Sequence, residues 1–326
     1  AYIQLYLKTF SRELIKKKIA QGEVTILNRP DSHKPSSRVY AGEEIRLVIP
    51  RTIHEDEYWR GEKVILNEDP EVVFEDEEIL VISKPAYMSA HPTGRHLFNC
   101  ATVIFEARRG IPIKSIHRLD RETSGILILG KTSKAAADIG KLFEFEHEKV
   151  QKCYFFIGVE KEHFAGNLNF VAKERLGLQE NDMMMEAYPE KSVEGKWAET
   201  EFKILHQEKG YLLGLAFPKT GRQHQIRVHA KEHGFPLLGD KLYLGSYKMF
   251  QHFKDNIAEP WEFDLMQIPR HALHAMALRI DYRGRQELFS SHLPHDLKEW
   301  IEEKLEVQIA ELEEKLTKTI ENYFSS

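Results

Sequence analysis

The sequence predicts an α/β (α+β) protein built from more than one unit, and three observations carry that expectation. The chain has 326 residues, more than one average domain holds, so two or three units are expected. Apolar residues make up 42% and charged residues 30%, which suits a packed chain and excludes wholesale disorder. From Ile79 to about Pro294, strand-like apolar runs interleave with helix-like periodic segments, and no fixed repeat is visible.

Residues 11–21 read as a short helix. Ser11 can cap it, Leu14, Ile15 and Ile19 form the apolar stripe, and Gly22 stands where a left-handed residue ends a helix. Val24–Leu27 is a β-like run, Asn28–Ser37 is a polar turn region with two prolines, and Ile45–Ile49 alternates as a strand. A unit of about 50 residues is near the lower limit for an unstapled core. The acidic stretch Glu55–Glu78 reads as a linker running into a new domain. The expected division is therefore a small unit over 1–52, a linker over 53–69, a main domain over 70–295 and a terminal helix over 296–326.

Within the main domain, Ile79–Ile82 is a buried strand ending at Lys84-Pro85, and Ile126–Leu129 is another between two glycines. Thr132–His147 reads as a helix opened by Thr132 or Ser133. Val150–Val159 alternates, which places Cys153 and Tyr154 on opposite faces. Phe202–Leu205 and Tyr211–Phe217 read as paired strands, and Gln223–His233 as a helix stopped by Gly234. Leu297–Phe324 reads as one long charged helix. Its stripe of Leu305, Ile309, Leu312 and Leu316 is expected to dock on the body.

The net charge of −5 conceals an asymmetry: residues 1–52 carry +5, 53–78 carry −9, 297–326 carry −4, and the remainder +3. Arg12, Lys16 and Lys17 lie off the stripe of the first helix, so that unit offers a basic face suited to RNA. By charge alone it is equally a solvated face. No run of about 18 apolar residues occurs, so no membrane span is expected. The first 30 residues contain no uninterrupted apolar segment of a secretory signal. Two cysteines, without CxxC spacing, suit a reducing compartment, and the expected location is cytoplasmic.

Gly125–Thr132 matches the phosphate-loop expression GxxxxGK[ST], but its four intervening residues are themselves strand. Their amides belong to a ladder and cannot wrap a phosphate, so the match is accidental and no nucleotide cofactor is expected. His224, His229 and His233 cluster, and His271 and His274 are three apart. Without a metal-ligand spacing they read as structural or RNA-contacting, and no metal is expected. Ser124 has no evident partner base. Two segments stand out. His117–Gly125 places Asp120 between Arg118 and Arg121 in a small polar turn before a strand. Lys219–His229 gathers a glycine, two arginines and amide side chains at a helix start, a place suited to phosphate.

His117-Arg118-Leu119-Asp120-Arg121-Glu122-Thr123-Ser124-Gly125 resembles the HRLDxxTSG signature of RluA-type pseudouridine synthases. Ile79–Pro92, Lys152-Cys153-Tyr154, Lys196–Phe202, Thr220–His229, Pro236–Tyr243 and Arg270–Ala275 resemble further family motifs, all in family order over about residues 70–293. Residues 6–49 resemble an S-four-like RNA-binding module, with Leu27-Asn28-Arg29 in place of the usual Val-Asn-Gly. The resemblance implies a mixed, mainly antiparallel central sheet with the active-site cleft across it. The chemistry it implies is redox-neutral isomerisation of uridine to pseudouridine, without cofactor or metal. By resemblance Asp120 is the catalytic carboxylate, either attacking the nucleoside or acting on the sugar to free uracil, and Arg227 is its salt-bridge partner. Tyr154 packs against the uracil, Ile226 is an apolar wall, Arg118 fills the space the base vacates, and Arg222 is a further RNA contact. The expected partner is RNA, with large-subunit ribosomal RNA first and transfer RNA as the alternative, acted on by a monomer. A non-catalytic RNA-binding or ribosome-assembly factor is the rival from another class.

Overall fold

The computed structural model describes residues 2–3, 12–27, 29, 34–48, 55–93, 96–179 and 184–325. The helix expected over 11–21 runs Arg12–Ala20 and ends as expected, with Gly22 at φ +72°. Ile15 on that helix is buried, as are Val24 and Ile26 of β1 (Val24–Ile26), which pairs antiparallel with β2 (Ile45–Leu47). Arg12, Lys16 and Lys17 are exposed. The expected cap at Ser11, part of the proline-containing turn, and Ile49 lie outside the described residues.

The acidic stretch read as a linker is built into the body instead. A hairpin of β3 (Tyr58–Trp59) and β4 (Glu62–Lys63) sets Trp59 against Phe253 and Phe263. Glu55 is buried because it replaces missing backbone partners: its carboxylate accepts the N–H groups of Leu97, Phe98 and Asn99 at 2.6–3.0 Å. The stretch reads as linker because it is acidic and polar; those charges are spent on specific donors that the local sequence does not reveal.

Among the described residues the main sheet has eleven strands. In chain order they are β5 (Glu71–Glu75), β6 (Ile79–Lys84), β7 (Lys114–Ser115), β8 (Ser124–Gly130), β9 (Val150–Val159), β10 (Asn169–Leu178), β11 (Met185–Tyr188), β12 (Lys196–Glu208), β13 (Tyr211–Pro218), β14 (Leu273–Tyr282) and β15 (Arg285–Ser290). Across the sheet the order is β11-β10-β12-β13-β9-β14-β8-β6-β5, with β15 on β14 and β7 on β8. All pairings are antiparallel except a short parallel one between β14 and β8, so the sheet is mixed and mainly antiparallel as expected. The helix Ser133–Phe145 opens where the sequence indicates, with the Thr132 hydroxyl accepting the Ala135 N–H at 3.0 Å.

Strand alternation then decides the two faces. Cys153, Phe155 and Ile157 of β9 join Leu213, Leu215 and Phe217 of β13 in one core. Phe156, Leu212 and Ala216, with Tyr154 beside them, pack on the other face against Ile226 and Ala230. Terminal helices cover the first face, and the second carries the cleft. The single helix expected over Leu297–Phe324 is two, His295–Lys304 and Ile309–Ser325. An unbroken helix of that length would run about 42 Å, and a straight rod cannot keep its stripe on a twisted sheet. The break puts Leu305 in extended conformation, itself buried, and Glu306 N–H donates to the Glu208 carboxylate. Docking occurs as expected. Leu312, Leu316, Ile320 and Phe324 are all buried in the first core, each worth roughly 1.5–3 kcal/mol when fully buried. No helix among the described residues is long and apolar enough to cross a membrane.

Candidate active site

Asp120 lies in the turn between β7 and β8, closed by the Thr123 N–H on the Asp120 carbonyl at 3.0 Å. The strand that follows must approach β14 closely. Gly125 has φ +107°, and a Cβ there would stand 2.2 Å from the Ala275 carbonyl oxygen, so no other residue fits. The Arg270–Ala275 motif then grips the turn residue by residue. His271 Nε2 meets Thr123 Oγ1 at 2.7 Å, and His274 Nδ1 meets Ser124 Oγ at 2.9 Å. Arg270 donates to the Glu122 carbonyl at 3.4 Å while holding both Asp296 oxygens at 2.6 and 3.0 Å. Ser124, which has no evident partner in the sequence, therefore has one 150 residues away. From the other side Lys84, fully buried, donates to the carbonyls of Pro85, Met88 and Arg121. His117 is structural: it accepts the Ile128 N–H at 3.0 Å and stacks on Phe143, and burial pushes it down to about 3, hence neutral.

The carboxylate that this scaffold presents is ionised. Burial pushes Asp120 up, but His224, Arg227 and His271 more than offset this and hold it at about 2. Burial and Arg227 keep His224 itself at about 4, so it is neutral at physiological pH and Arg227 supplies the full charge. Arg227 Nη1 donates to Asp120 Oδ2 at 3.0 Å. Its Nε and Nη2 grip Asp240 in a bidentate pair at 2.7 and 2.8 Å. Asp240 has no solvent exposure, whereas 32% of the Asp120 side chain is open. The inner acid thus fixes the guanidinium, and the outer one faces the cleft. Gly239 allows this placement: at φ +74°, a Cβ there would lie 2.1 Å from the Arg270 carbonyl oxygen.

His224 completes the surroundings. Its Nδ1 is 2.9 Å from the Tyr243 hydroxyl, which accepts the Met185 N–H at 2.9 Å. Its Nε2 lies 3.8 Å from Asp120 Oδ2.

The cleft itself has a volume of about 750 Å³ and is lined by Asp120, Arg118, Tyr154, Ile226, Arg227 and Arg222 among others. Six of the residues singled out in the sequence thus meet at one place; Arg12, Lys16 and Lys17 are exposed on the small unit and are not among them. Arg118 is exposed and Ile226 is buried against the sheet. Burial, Asp120 and Cys153 push the Tyr154 hydroxyl well above the usual tyrosine value, so it stays protonated. Sequence reasoning gave no role to Asp240, Lys152 or Tyr243, and read His224 only as structural or RNA-contacting. Asp240 had a signal, an acid after the glycine of a quoted motif, but its partner is visible only in three dimensions. Among the described residues no group of three or more His, Cys, Asp or Glu could hold a metal ion. The Gly125–Gly130 segment is ladder, and Lys131 is taken by Glu75 and the Asp76 carbonyl.

The model of the RNA pseudouridylate synthase family matches residues 78–232. The chain is 29% identical over 306 residues to ribosomal large subunit pseudouridine synthase D of Pasteurella multocida (strain Pm70), covering 90% of this chain and 86% of that one. It is 34% identical over 188 residues to the mitochondrial tRNA pseudouridine(32) synthase of Saccharomyces cerevisiae (strain ATCC 204508 / S288c), covering 56% of this chain and 39% of that one. The fold is similar to that of human RNA pseudouridylate synthase domain containing 4, at a TM-score of 0.58 and 22% identity over 71% of this chain and 92% of that one. Motifs in family order, a near full-length relative and a shared sheet agree, and the chain belongs to the RluA-type family of RNA pseudouridine synthases.

Proposed function

We propose that the protein isomerises uridines of large-subunit ribosomal RNA to pseudouridine, with Asp120 as its catalytic carboxylate. One observation carries this: a buried Asp240–Arg227 pair holds a partly open Asp120 ionised at the floor of a cleft. The reaction breaks C1′–N1, turns the uracil, forms C1′–C5 and releases the C5 proton. It needs an anion at the sugar and a surface against which the base can turn. Asp120 supplies the first, as nucleophile or as base. The ring of Tyr154 supplies the second, with a protonated hydroxyl at its edge, and Ile226 closes the apolar side. Extrusion of the target nucleotide costs a few kcal/mol, which the exposed Arg118 offsets by stacking in the vacated space.

The ribosomal target rests on the near full-length likeness to a large-subunit synthase. Transfer RNA is the second reading, favoured by the yeast relative. We read residues 1–52 as an S-four-like module that offers Arg12, Lys16 and Lys17 to RNA, residues 70–295 as the catalytic domain, and the protein as a cytoplasmic monomer. Two free, buried cysteines suit that compartment.

Tritium release from RNA labelled at C5 of uridine, drawn from cells lacking the protein, tests the reading. Wild type is expected to release tritium from large-subunit RNA, and Asp120→Asn none while remaining folded. Release from transfer RNA alone would move the target, and equal release by both chains would remove Asp120 from the chemistry.

A further inference from the structure

Lys152 precedes Tyr154 by two residues on β9, so both project from the same face into the cleft. Its ammonium donates to the Thr220 carbonyl at 3.1 Å and has no carboxylate partner among the described residues. Arg222, on the adjoining loop, donates from Nε to the Trp197 carbonyl at 2.9 Å and likewise has no carboxylate there. The loop between them is rigid. Buried Gln225 accepts from Thr220 Oγ1 at 2.7 Å and from the Arg222 N–H at 2.9 Å, and donates to the Glu199 carbonyl and Thr200 Oγ1, both at 2.9 Å. Gly221 adds no side chain over the ammonium, and even a Cβ there would stand 3.6 Å from Nζ.

Several withdrawn cations elsewhere in the body are neutralised. Arg227 has Asp120 and Asp240, Arg270 has Asp296, Lys241 has Glu122 and Lys131 has Glu75. Fully buried Lys84 is satisfied by three carbonyls. Lys152 and Arg222 instead line one partly desolvated cleft as like charges, and burial and then Arg222 push the Lys152 ammonium down. Holding two such charges together is unfavourable until an anion joins them. A point-like ammonium beside a guanidinium fork suits a phosphate.

We propose that Lys152 and Arg222 form one phosphate subsite, which takes a backbone phosphate of the RNA beside the uridine held at Asp120. This rests on the reading of the cleft as an RNA site. The test is a salt titration of binding, using unmodified large-subunit RNA transcribed in vitro and the Asp120→Asn chain as parent. One phosphate shared by both cations predicts that the double variant Lys152→Gln/Arg222→Gln lowers the slope of log K on log salt by about 0.7–0.9. Lys152→Arg keeps the parental slope, and so does Lys134→Gln on an exposed helix. A double variant that binds with the parental slope, or one that loses twice that value, overturns the shared subsite alone. Failure of the parent to bind RNA overturns the functional reading, and the subsite with it.

Discussion

The two ends of the cleft treat charge in opposite ways. At one end every charge is matched: Asp240 grips Arg227, Arg227 reaches Asp120, and the turn that carries Asp120 is pinned by His271, His274 and Arg270. At the other, Lys152 and Arg222 hold only carbonyl partners. The first end keeps a charge in place whether or not a substrate is bound, and the second leaves charge to be matched by one. Preorganisation lies in the first and recognition in the second.

Substitutions at the two ends should therefore separate chemistry, stability and binding. The largest effect is expected from Asp120→Asn, with tritium release lost entirely. Next, Asp240→Asn removes one partner of a buried ion pair and should lower unfolding free energy by about 3 kcal/mol, the low end for such a loss because Asp120 remains. Denaturant titration would check this. Lys152→Gln, measured alongside, should stay within about 0.5 kcal/mol of wild type. Equal losses at both would erase the contrast.

The pH dependences differ in the same way and are smaller. The folded value of Asp120, about 2, lies below the ordinary 3.8. Its charge thus contributes stability in full above about pH 4 and loses it as pH falls from there towards 2. The stability gap between wild type and Asp120→Asn should narrow over that range; a gap constant from pH 5 to 2.5 would show that the charge is not held. At the cationic end, burial and then Arg222 push Lys152 down to about 8, while neighbouring His117 is already neutral. Raising pH through 8 should therefore weaken RNA binding modestly in wild type and less in Lys152→Arg, whose guanidinium stays charged. Matching profiles for the two chains would remove Lys152 from the binding.

Much of this was legible in one dimension. Alternation in Val150–Val159 assigned Cys153 and Tyr154 to opposite faces, because a strand's side-chain period is fixed by its backbone. Thr132-Ser133 announced a helix start, which Thr132 caps, and the spacing of Leu312 and Leu316 announced a docked face. The HRLDxxTSG-like segment singled out Asp120. Spacing along the chain did not reveal partners, and the family resemblance named only one, Arg227 for Asp120. Thr123 and His271 are 148 residues apart, Ser124 and His274 are 150, and Asp120 and Arg227 are 107. They meet only because β14 lies between β9 and β8, a strand order that no local pattern encodes. The same holds for the division of the terminal helix, where sheet twist overrides a continuous stripe, and for Glu55, whose charge reads as linker until three N–H groups close on it. Sequence by itself determined most of the elements, their faces and the candidate acid. Beyond the Asp120–Arg227 pair that the resemblance implied, tertiary structure decided which charges are paired and which are left for a ligand, since pairing depends on distance through space and not along the chain.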